Sequence, residues 1–222
     1  MTLSIEEKMK AVNWDSVKVI SFDLDDTLWD NAGVIEKCEQ EVYDFLCRKH
    51  PPFAERYSRD DMLRVAEQFR AQEEPHFENM TTLRKAIIEH MLLETAGDLK
   101  LINQAFGVFY YWRNQVSIPE VSYQVLEYLQ QHYSLFAVSN GNSNLHWLGL
   151  MKYFEKHFIA GVHGRAKPSA DMLHKVCALK KIEPQQLLHV GDSHETDIKS
   201  SLAADCQHLH IDVTEIELML SI

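Results

Sequence analysis

From Pro119 onward, short apolar segments alternate with helical ones. The predicted strands are Leu135–Val138, Phe158–Gly161, Leu187–Val190 and His208–Ile211, and the predicted helices are Val121–His132, Asn144–Phe158, Ser169–Lys180 and Thr196–Ala204. Short, almost wholly apolar strands are typical of a parallel sheet that is buried on both faces. Another such strand, Lys18–Phe22, has no partner near it in sequence and is assigned to the same sheet. The sequence therefore predicts an α/β fold, a Rossmann-like parallel sheet core covered by helices on both faces.

The segment between the first strand and this alternation has helical periodicity alone. Its apolar positions recur every three or four residues and predict four successive helices. Pro51 is expected to end the first helix, and Ser58, with Asp61 three residues on, to cap the second. The other two helices are predicted at Thr82–Ala96 and Leu99–Trp112. We therefore predict an inserted all-α domain over 34–114, within a core domain formed by 1–33 and 115–222.

The charge, the apolar runs and the cysteines of the chain indicate where it acts and which partners it binds. A formal net charge of −11 over 222 residues, without a Lys/Arg-rich run, argues against nucleic acid. No apolar run is long enough to span a bilayer, and the start MTLSIEEKMK has no apolar segment typical of a secretion signal. The four cysteines form no C-x-x-C pair, which favours reduced thiols. We expect a cytoplasmic protein whose partner is a small molecule.

The carboxyl ends of the predicted strands carry a concentrated set of polar residues. They are Asp23, Asp25 and Asp26 after the first strand, Ser139 and Asn140 after the second, Lys167 in a loop before a helix, and Asp192 and Asp197 after the fourth. Ligands of open α/β sheets bind at these ends. Clustered carboxylates repel one another unless a cation lies among them, and hard oxygen ligands suit Mg²⁺. Lys167 and the Ser139 hydroxyl are suited to hold a phosphate group.

The spacing of the first three acids favours a division of labour. If the backbone stays extended past Phe22, Asp23 and Asp25 face the same side. One of them can then attack a substrate while the other transfers protons. Asp26 faces away and is expected to cap the loop.

Four stretches together resemble the motifs of the haloacid dehalogenase superfamily, in the same order. They are Asp23-Leu24-Asp25-Asp26-Thr27-Leu28, Ser139-Asn140, Lys167-Pro168 and Gly191-Asp192 with Asp197. The resemblance implies Mg²⁺-dependent hydrolysis of a phosphomonoester through an aspartyl-phosphate. It makes Asp23 the nucleophile and a metal ligand, and Asp25 the acid and base, with its backbone carbonyl on the metal. It assigns Asp192 to the metal, Ser139, Asn140 and Lys167 to the phosphate, and Asp197 to orienting Lys167 or a metal-bound water.

The helical insertion resembles the helical cap of that superfamily. Stretches such as YWRNQVSIP and GVHGRAKPSADM are similar to a bacterial subgroup that dephosphorylates flavin mononucleotide (FMN) and 5-amino-6-(5-phospho-D-ribitylamino)uracil. The resemblance makes Arg113 and Arg165 candidates for substrate specificity, and Arg84 is a further candidate because it could reach a substrate from the helical insertion. Arg84 and Arg113 could equally pair with acids of the insertion.

Several alternatives stay open at this point. A sugar phosphate, phosphoglycolate or a nucleotide are other possible substrates, and a phosphomutase uses the same motifs. A dehalogenase is disfavoured, because a halide leaves without a proton and needs no acid such as Asp25. A signalling receiver domain is disfavoured because the strand before Ser139 does not end in an aspartate. A catalytically silent metabolite-binding protein is the remaining non-enzyme alternative.

None of the twelve histidines has the spacing of a metal-ligand motif. His208 and His210 alternate on a predicted strand, which more often indicates a structural pair than a zinc site. His194 is expected to lie near the strand ends without taking part in the chemistry.

Overall fold

Five parallel strands form one sheet, in the order β3-β2-β1-β4-β5. They are β1 (Val19–Phe22), β2 (Ser134–Ser139), β3 (Lys156–Ile159), β4 (Leu187–Gly191) and β5 (Gln207–His210). The central strand β1 is buried along its whole length and pairs with β2 on one side and β4 on the other. Phe22, the last residue of β1, is in register with Ala137 and Val190, so β2 and β4 extend only one or two residues beyond it. The predicted α/β fold is confirmed.

The computed structural model describes residues 5–222. Its α-helices are α1 (Ile5–Lys10), α2 (Val34–Lys49), α3 (Pro51–Arg56), α4 (Arg59–Arg70), α5 (Met80–Glu94), α6 (Leu101–Arg113), α7 (Glu120–Leu129), α8 (Asp171–Lys180) and α9 (Lys199–Ala203). None of the helices in this described part is long and apolar enough to cross a membrane. The start of MTLSIEEKMK, on which the expectation of no secretion signal partly rests, lies outside the described residues.

The chain forms two compact units. The first combines the segment up to Asp30 with Ser117–Ile222 and contains the sheet. Residues of β1, β2 and α8, among them Val19, Phe136 and Leu173, share one of its apolar clusters. Each such side chain contributes about 1.5–3 kcal/mol on burial, which fixes the strands and therefore the positions of their ends.

The second unit, Asn31–Val116, contains α2 to α6 around its own apolar core. Ser58 caps α4 as predicted, because its hydroxyl accepts from the Asp61 backbone and the Asp61 carboxylate accepts from the Ser58 backbone. Helix α2 ends at Lys49, just before the prolines, as expected. The prediction missed α3, which Pro51 begins, because a proline that stops one helix is also well suited to the first turn of the next.

One predicted helix, Asn144–Phe158, was wrong. The Asn144 side chain accepts from the backbone of His146 and Trp147, and Gly149 has a φ of 71°, which ends the turn. Only a short 3₁₀ helix, Met151–Tyr153, follows, and the chain then enters β3 two residues earlier than predicted. The predicted helix Thr196–Ala204 is instead a π-helical turn, His194–Ile198, followed by α9.

Candidate active site

Three carboxylates and one ammonium group meet at the carboxyl ends of β1 and β4. We call Asp23, Lys167, Asp192 and Asp197 the strand-end cluster. Carboxylate oxygens of its three aspartates all lie within 4.8 Å of one another. Asp23 directly follows β1, Asp192 follows β4, and Asp197 lies in the π-helical turn. The structure thus brings together residues that are up to 174 positions apart in sequence, 197 minus 23.

Lys167 is the cation at the centre of this cluster, with a side chain that is only 1% exposed. Its Nζ lies 2.6 Å from Asp23 Oδ1, 2.6 Å from Asp197 Oδ1 and 2.8 Å from the carbonyl oxygen of Val138. These three acceptors match the three hydrogens of an ammonium group. Burial disfavours the charge, but the two carboxylates outweigh it and raise the pKa of Lys167 above its ordinary value.

Asn140 holds the loop that carries Lys167. Its Nδ2 donates to the Lys167 carbonyl and its Oδ1 accepts from the Lys167 amide, both at 2.8 Å. Ser139, the last residue of β2, is buried, and its hydroxyl accepts from the Gly141 amide at 2.8 Å. Direct contact of Ser139 and Asn140 with a phosphate stays a prediction, and the structure adds that Asn140 fixes the lysine loop.

Asp197 is fully buried and its carboxylate is fixed from three directions. Besides Lys167, Oδ1 lies 3.2 Å from His189 Nε2, while Oδ2 accepts from the Ser193 amide at 3.0 Å. Burial opposes the ionised form, but Lys167 and His189 lower the pKa of Asp197 well below its ordinary range. A side chain at Gly191 would bring its Cβ to 2.3 Å from Asp197 Cγ, so this close packing requires glycine.

Asp25 lies in the turn that follows β1. The indole Nε1 of Trp29 donates to Asp25 Oδ1 at 3.0 Å, and Trp29 is fully buried. The Asp26 amide donates to the Trp29 carbonyl at 2.8 Å, and Asp26 adopts a φ of 61°. The Asp26 backbone thus helps to close this turn, and the capping role expected of its side chain stays a prediction.

The cluster has more negative than positive charge. Burial raises the pKa of Asp23 to about 8, with Asp197 and Asp25 adding to the effect and Lys167 opposing it. Burial also raises the pKa of Asp192. One lysine therefore does not stabilise all of these carboxylates as anions. Their hard oxygen atoms and close approach fit a divalent cation such as Mg²⁺, which would supply the missing positive charge.

The three predicted specificity arginines have different surroundings. In the helical unit, Arg84 Nη1 lies 3.4 Å from Glu39 Oε1, and its guanidinium lies over the Phe109 ring at 3.9 Å. Arg113 is buried, and its Nη1 donates to Asn31 Oδ1 at 3.3 Å. Arg165 is exposed in the loop before α8. Arg84 thus pairs with an acid of the insertion, which was the alternative to a specificity role. The specificity roles of all three arginines stay predictions.

Sequence reasoning missed the polar residues that support the cluster. Thr27 and Asp192 hydrogen-bond to each other, and His189 connects Ser21 to Asp197. Ser21 and His189 interrupt strands that are otherwise apolar, and a buried polar side chain must find a partner. A polar residue inside an apolar strand was therefore the sequence signal that could have identified these two residues. Which partner it finds depends on the pairing of β1 with β4, which the sequence does not state.

The fold and the cluster define an α/β enzyme with an acidic, lysine-containing centre at the carboxyl ends of a parallel sheet. The chain belongs to the haloacid dehalogenase-like hydrolases, because the model of that family matches residues 17–205. The predicted family is confirmed, and so is the prediction of an enzyme of this hydrolase class.

Relatives of the chain include several phosphatases. The 5-amino-6-(5-phospho-D-ribitylamino)uracil phosphatase YigB of Escherichia coli strain K12 is 30% identical over 195 residues, covering 86% of this chain and 82% of that protein. The N-acylneuraminate-9-phosphatase of Homo sapiens is 26% identical over 200 residues, covering 85% and 79%. Among solved structures, 2-haloacid dehalogenase from Pseudomonas syringae pv. Tomato DC3000 has a TM-score of 0.81 at 25% identity, covering 92% of this chain and 98% of that one.

Proposed function

We propose that this protein is a Mg²⁺-dependent phosphatase that hydrolyses a small phosphorylated metabolite through an aspartyl-phosphate. The observation that carries the proposal is the contact of Lys167 Nζ with both Asp23 and Asp197, beside Asp192. A buried ammonium group among carboxylates is suited to hold a phosphoryl group whose charge shifts during transfer.

Two aspartates carry the covalent steps. The Asp23 carboxylate attacks phosphorus, the bond from phosphorus to the ester oxygen breaks, and Asp25 gives its proton to the leaving alkoxide. Asp25 then takes a proton from a water molecule, whose oxygen attacks the phosphorus of the aspartyl-phosphate as the bond from phosphorus to the Asp23 oxygen breaks. The products are free Asp23 carboxylate and inorganic phosphate. The Trp29 indole, which donates to Asp25, holds this acid and base in place.

Other residues bind the transferred group and the cation. Lys167 and the Ser139 hydroxyl bind phosphoryl oxygens, and Asn140 keeps the lysine loop in position. Asp23, Asp192 and the backbone carbonyl of Asp25 would hold Mg²⁺. The cation, when bound, neutralises charge on the phosphoryl oxygens and offsets the repulsion between those oxygens and the Asp23 carboxylate. Asp197 orients Lys167.

FMN or 5-amino-6-(5-phospho-D-ribitylamino)uracil is the proposed substrate. The 30% identical E. coli relative, named for the second compound, supports this choice. The relatives named for N-acylneuraminate 9-phosphate and glyceraldehyde 3-phosphate support a phosphorylated sugar as the next candidate. Their common feature is a phosphomonoester of a small polar alcohol. We place this activity in the cytoplasm, without nucleic acid or membrane as partner.

A dehalogenase is the second candidate, because one of the structures similar to this chain is named a 2-haloacid dehalogenase. Asp25 argues against it. A halide leaves as an anion and needs no proton, whereas an alkoxide does. An acid two residues after the nucleophile, held by the Trp29 indole, therefore favours phosphate esters.

The deciding experiment is a substrate panel. Purified protein with Mg²⁺ is incubated with FMN, the ribitylaminouracil phosphate, sugar phosphates, phosphoglycolate, nucleotides and 2-haloacids, while free phosphate, halide and isomerised products are measured. We expect phosphate release that is abolished by a chelator and by Asp23→Asn. Halide release would favour the dehalogenase, and accumulation of an isomer would favour a phosphomutase. The absence of phosphate release from every ester would refute the proposal.

A further inference from the structure

His189 is a histidine inside the sheet. It lies in the middle of β4, is fully buried, and is in register with Ser21 of β1. Its Nδ1 lies 2.8 Å from Ser21 Oγ, and its Nε2 lies 3.2 Å from Asp197 Oδ1. Both neighbours on β4, Leu188 and Val190, are fully buried apolar residues. A polar ring at this position is costly unless both nitrogens are satisfied, and here both are.

The partners assign the hydrogens of the ring. The Asp197 carboxylate already accepts from Lys167 Nζ and from the Ser193 amide, so it is the acceptor toward His189 as well. His189 Nε2 therefore carries a hydrogen. In the neutral ring Nδ1 is then an acceptor, and the Ser21 hydroxyl donates to it. The result is a continuous line of hydrogen bonds from Ser21 through His189 to Asp197.

Asp197 Oδ1 is the atom at which this line meets Lys167. His189 Nε2 and Lys167 Nζ both bind that oxygen, and the same Nζ binds Asp23 Oδ1. Removing His189 leaves Oδ1 with Lys167 alone. The carboxylate is then held by Lys167 and the Ser193 amide without a fixed partner on the His189 side, so Oδ1 can shift and move the ammonium group relative to Asp23.

We propose that His189 is a positioning residue of the active site: through Nε2 it fixes the Asp197 carboxylate, and through that carboxylate it fixes Lys167 against Asp23. The inference rests on the proposed function for its kinetic consequence, but its structural content is independent of any substrate. His189 contacts no reacting atom in this scheme and is not a catalytic residue.

The kinetic test compares three variants. His189→Leu removes both hydrogen bonds and keeps an apolar side chain in the strand, and we expect kcat to fall about ten- to a hundredfold with a smaller change in KM. His189→Gln places an amide nitrogen near the position of Nε2, and we expect it to recover most of the lost kcat. His208→Leu, a half-buried histidine in register with His189 on β5, is the matched control and keeps the parent's kcat.

A second readout needs no substrate. In protein labelled with ¹⁵N-lysine, the Lys167 ammonium group should give a signal protected from exchange with water, because it is buried with three acceptors. We expect the signal in the parent and in His208→Leu, and its loss or displacement in His189→Leu. If the parent releases no phosphate but this pattern holds, the proposed function fails and the positioning role stands.

Two results overturn the inference. One is a folded His189→Leu protein with the parent's Lys167 signal and kcat. The other is a His189→Gln protein as impaired as His189→Leu in both measurements. If His189→Leu does not fold, His189→Asn provides the same test, because its amide can keep a hydrogen bond with Ser21 but is too short to reach Asp197. A loss of kcat and a displaced Lys167 signal are expected from it, and parental values of both would again refute the positioning role.

Discussion

Thr27 and Asp192 are joined by two hydrogen bonds of equal length. The Thr27 hydroxyl donates to Asp192 Oδ1 at 3.1 Å and accepts from the Asp192 amide at 3.1 Å. Thr27 is fully buried, so its hydroxyl depends on Asp192 rather than on water for both hydrogen bonds. A single hydroxyl thereby fixes the loop after β1 to the loop after β4, and it orients a proposed ligand of the cation.

We expect Thr27→Val to weaken both the fold and the metal site. Valine keeps the shape of threonine but leaves the Asp192 amide and carboxylate without a partner, at a cost of about 1–3 kcal/mol in the free energy of unfolding. The Mg²⁺ concentration needed for half-maximal activity should rise about ten- to a hundredfold. Urea unfolding and a Mg²⁺ titration measure the two effects. Thr27→Ser keeps the hydroxyl and should retain most of both, and a valine variant equal to the parent would contradict the prediction.

Asp23→Asn should abolish turnover and stabilise the metal-free protein. In the native state the pKa of Asp23 is raised to about 8, from an ordinary value of 3.8. Between these pH values the native protein binds more protons than the unfolded chain, so this group makes stability fall as pH rises through that window. Asparagine has no charge to bury, so the variant should not lose stability in this way as pH rises.

Thermal unfolding in the presence of a chelator measures the effect. At pH 8 we expect a Tm for Asp23→Asn that is higher than the parent's by at least about 2–4 °C, which corresponds to about 1 kcal/mol at this chain length. Added Mg²⁺ should raise the Tm of the parent and have little effect on that of the variant. A variant that is less stable than the parent in the chelator would refute this account.

The sheet was predictable because its strands are apolar runs, and their order in sequence implied parallel pairing. The charged members of the strand-end cluster were predictable because three aspartates after an apolar strand require a cation. Lys167 was expected in a loop before a helix of the same core, and Asp192 and Asp197 after another strand of the same sheet. The helix predicted from Asn144 failed because the Asn144 side chain caps its own turn and Gly149 takes a positive φ, two local effects that apolar periodicity does not register.

The supporting residues were not predictable for a different reason. Ser21 and His189 are 168 residues apart, and their contact exists only because β1 and β4 are neighbours in the sheet. Likewise Thr27 and Asp192 are 165 residues apart. A sequence shows that a polar side chain interrupts an apolar strand, but the strand order determines which side chain lies opposite.

His157 should make the protein less stable in acid. It lies on β3, and its Nε2 is buried without a hydrogen-bond partner among the described residues. Burial, with smaller effects from His163 and Lys167, lowers the pKa of His157 to about 4, from an ordinary value of 6.5. Between these values the unfolded chain binds more protons than the native protein. The contribution of the neutral ring is therefore complete above pH 6.5 and is lost as pH falls toward 4.

The difference between the parent and His157→Leu isolates this group. Urea unfolding at several pH values should show that the free energy of unfolding falls less for the variant than for the parent between pH 6.5 and 4. The difference should be at most about 3 kcal/mol across this window. His174→Leu, at an exposed site on α8, serves as the matched control for the loss of a histidine. Equal declines for the parent and His157→Leu would show that His157 is not buried as a neutral ring.

The loss of activity on removing the Trp29 indole should depend on how much the leaving group needs a proton. Trp29→Phe keeps an aromatic ring in the fully buried site but removes the donor to Asp25 Oδ1. Without that hydrogen bond the carboxyl group loses the indole donor that helps to orient it, and proton transfer to the departing oxygen becomes less efficient. An alkyl phosphate, whose alkoxide is a poor leaving group, should lose about tenfold in kcat/KM. p-Nitrophenyl phosphate, whose phenolate leaves without protonation, should lose much less in the same assay. The two esters share the attack by Asp23 and the contacts of Lys167, so a loss of equal size for both would place the effect of Trp29 on those steps and contradict its role in holding Asp25.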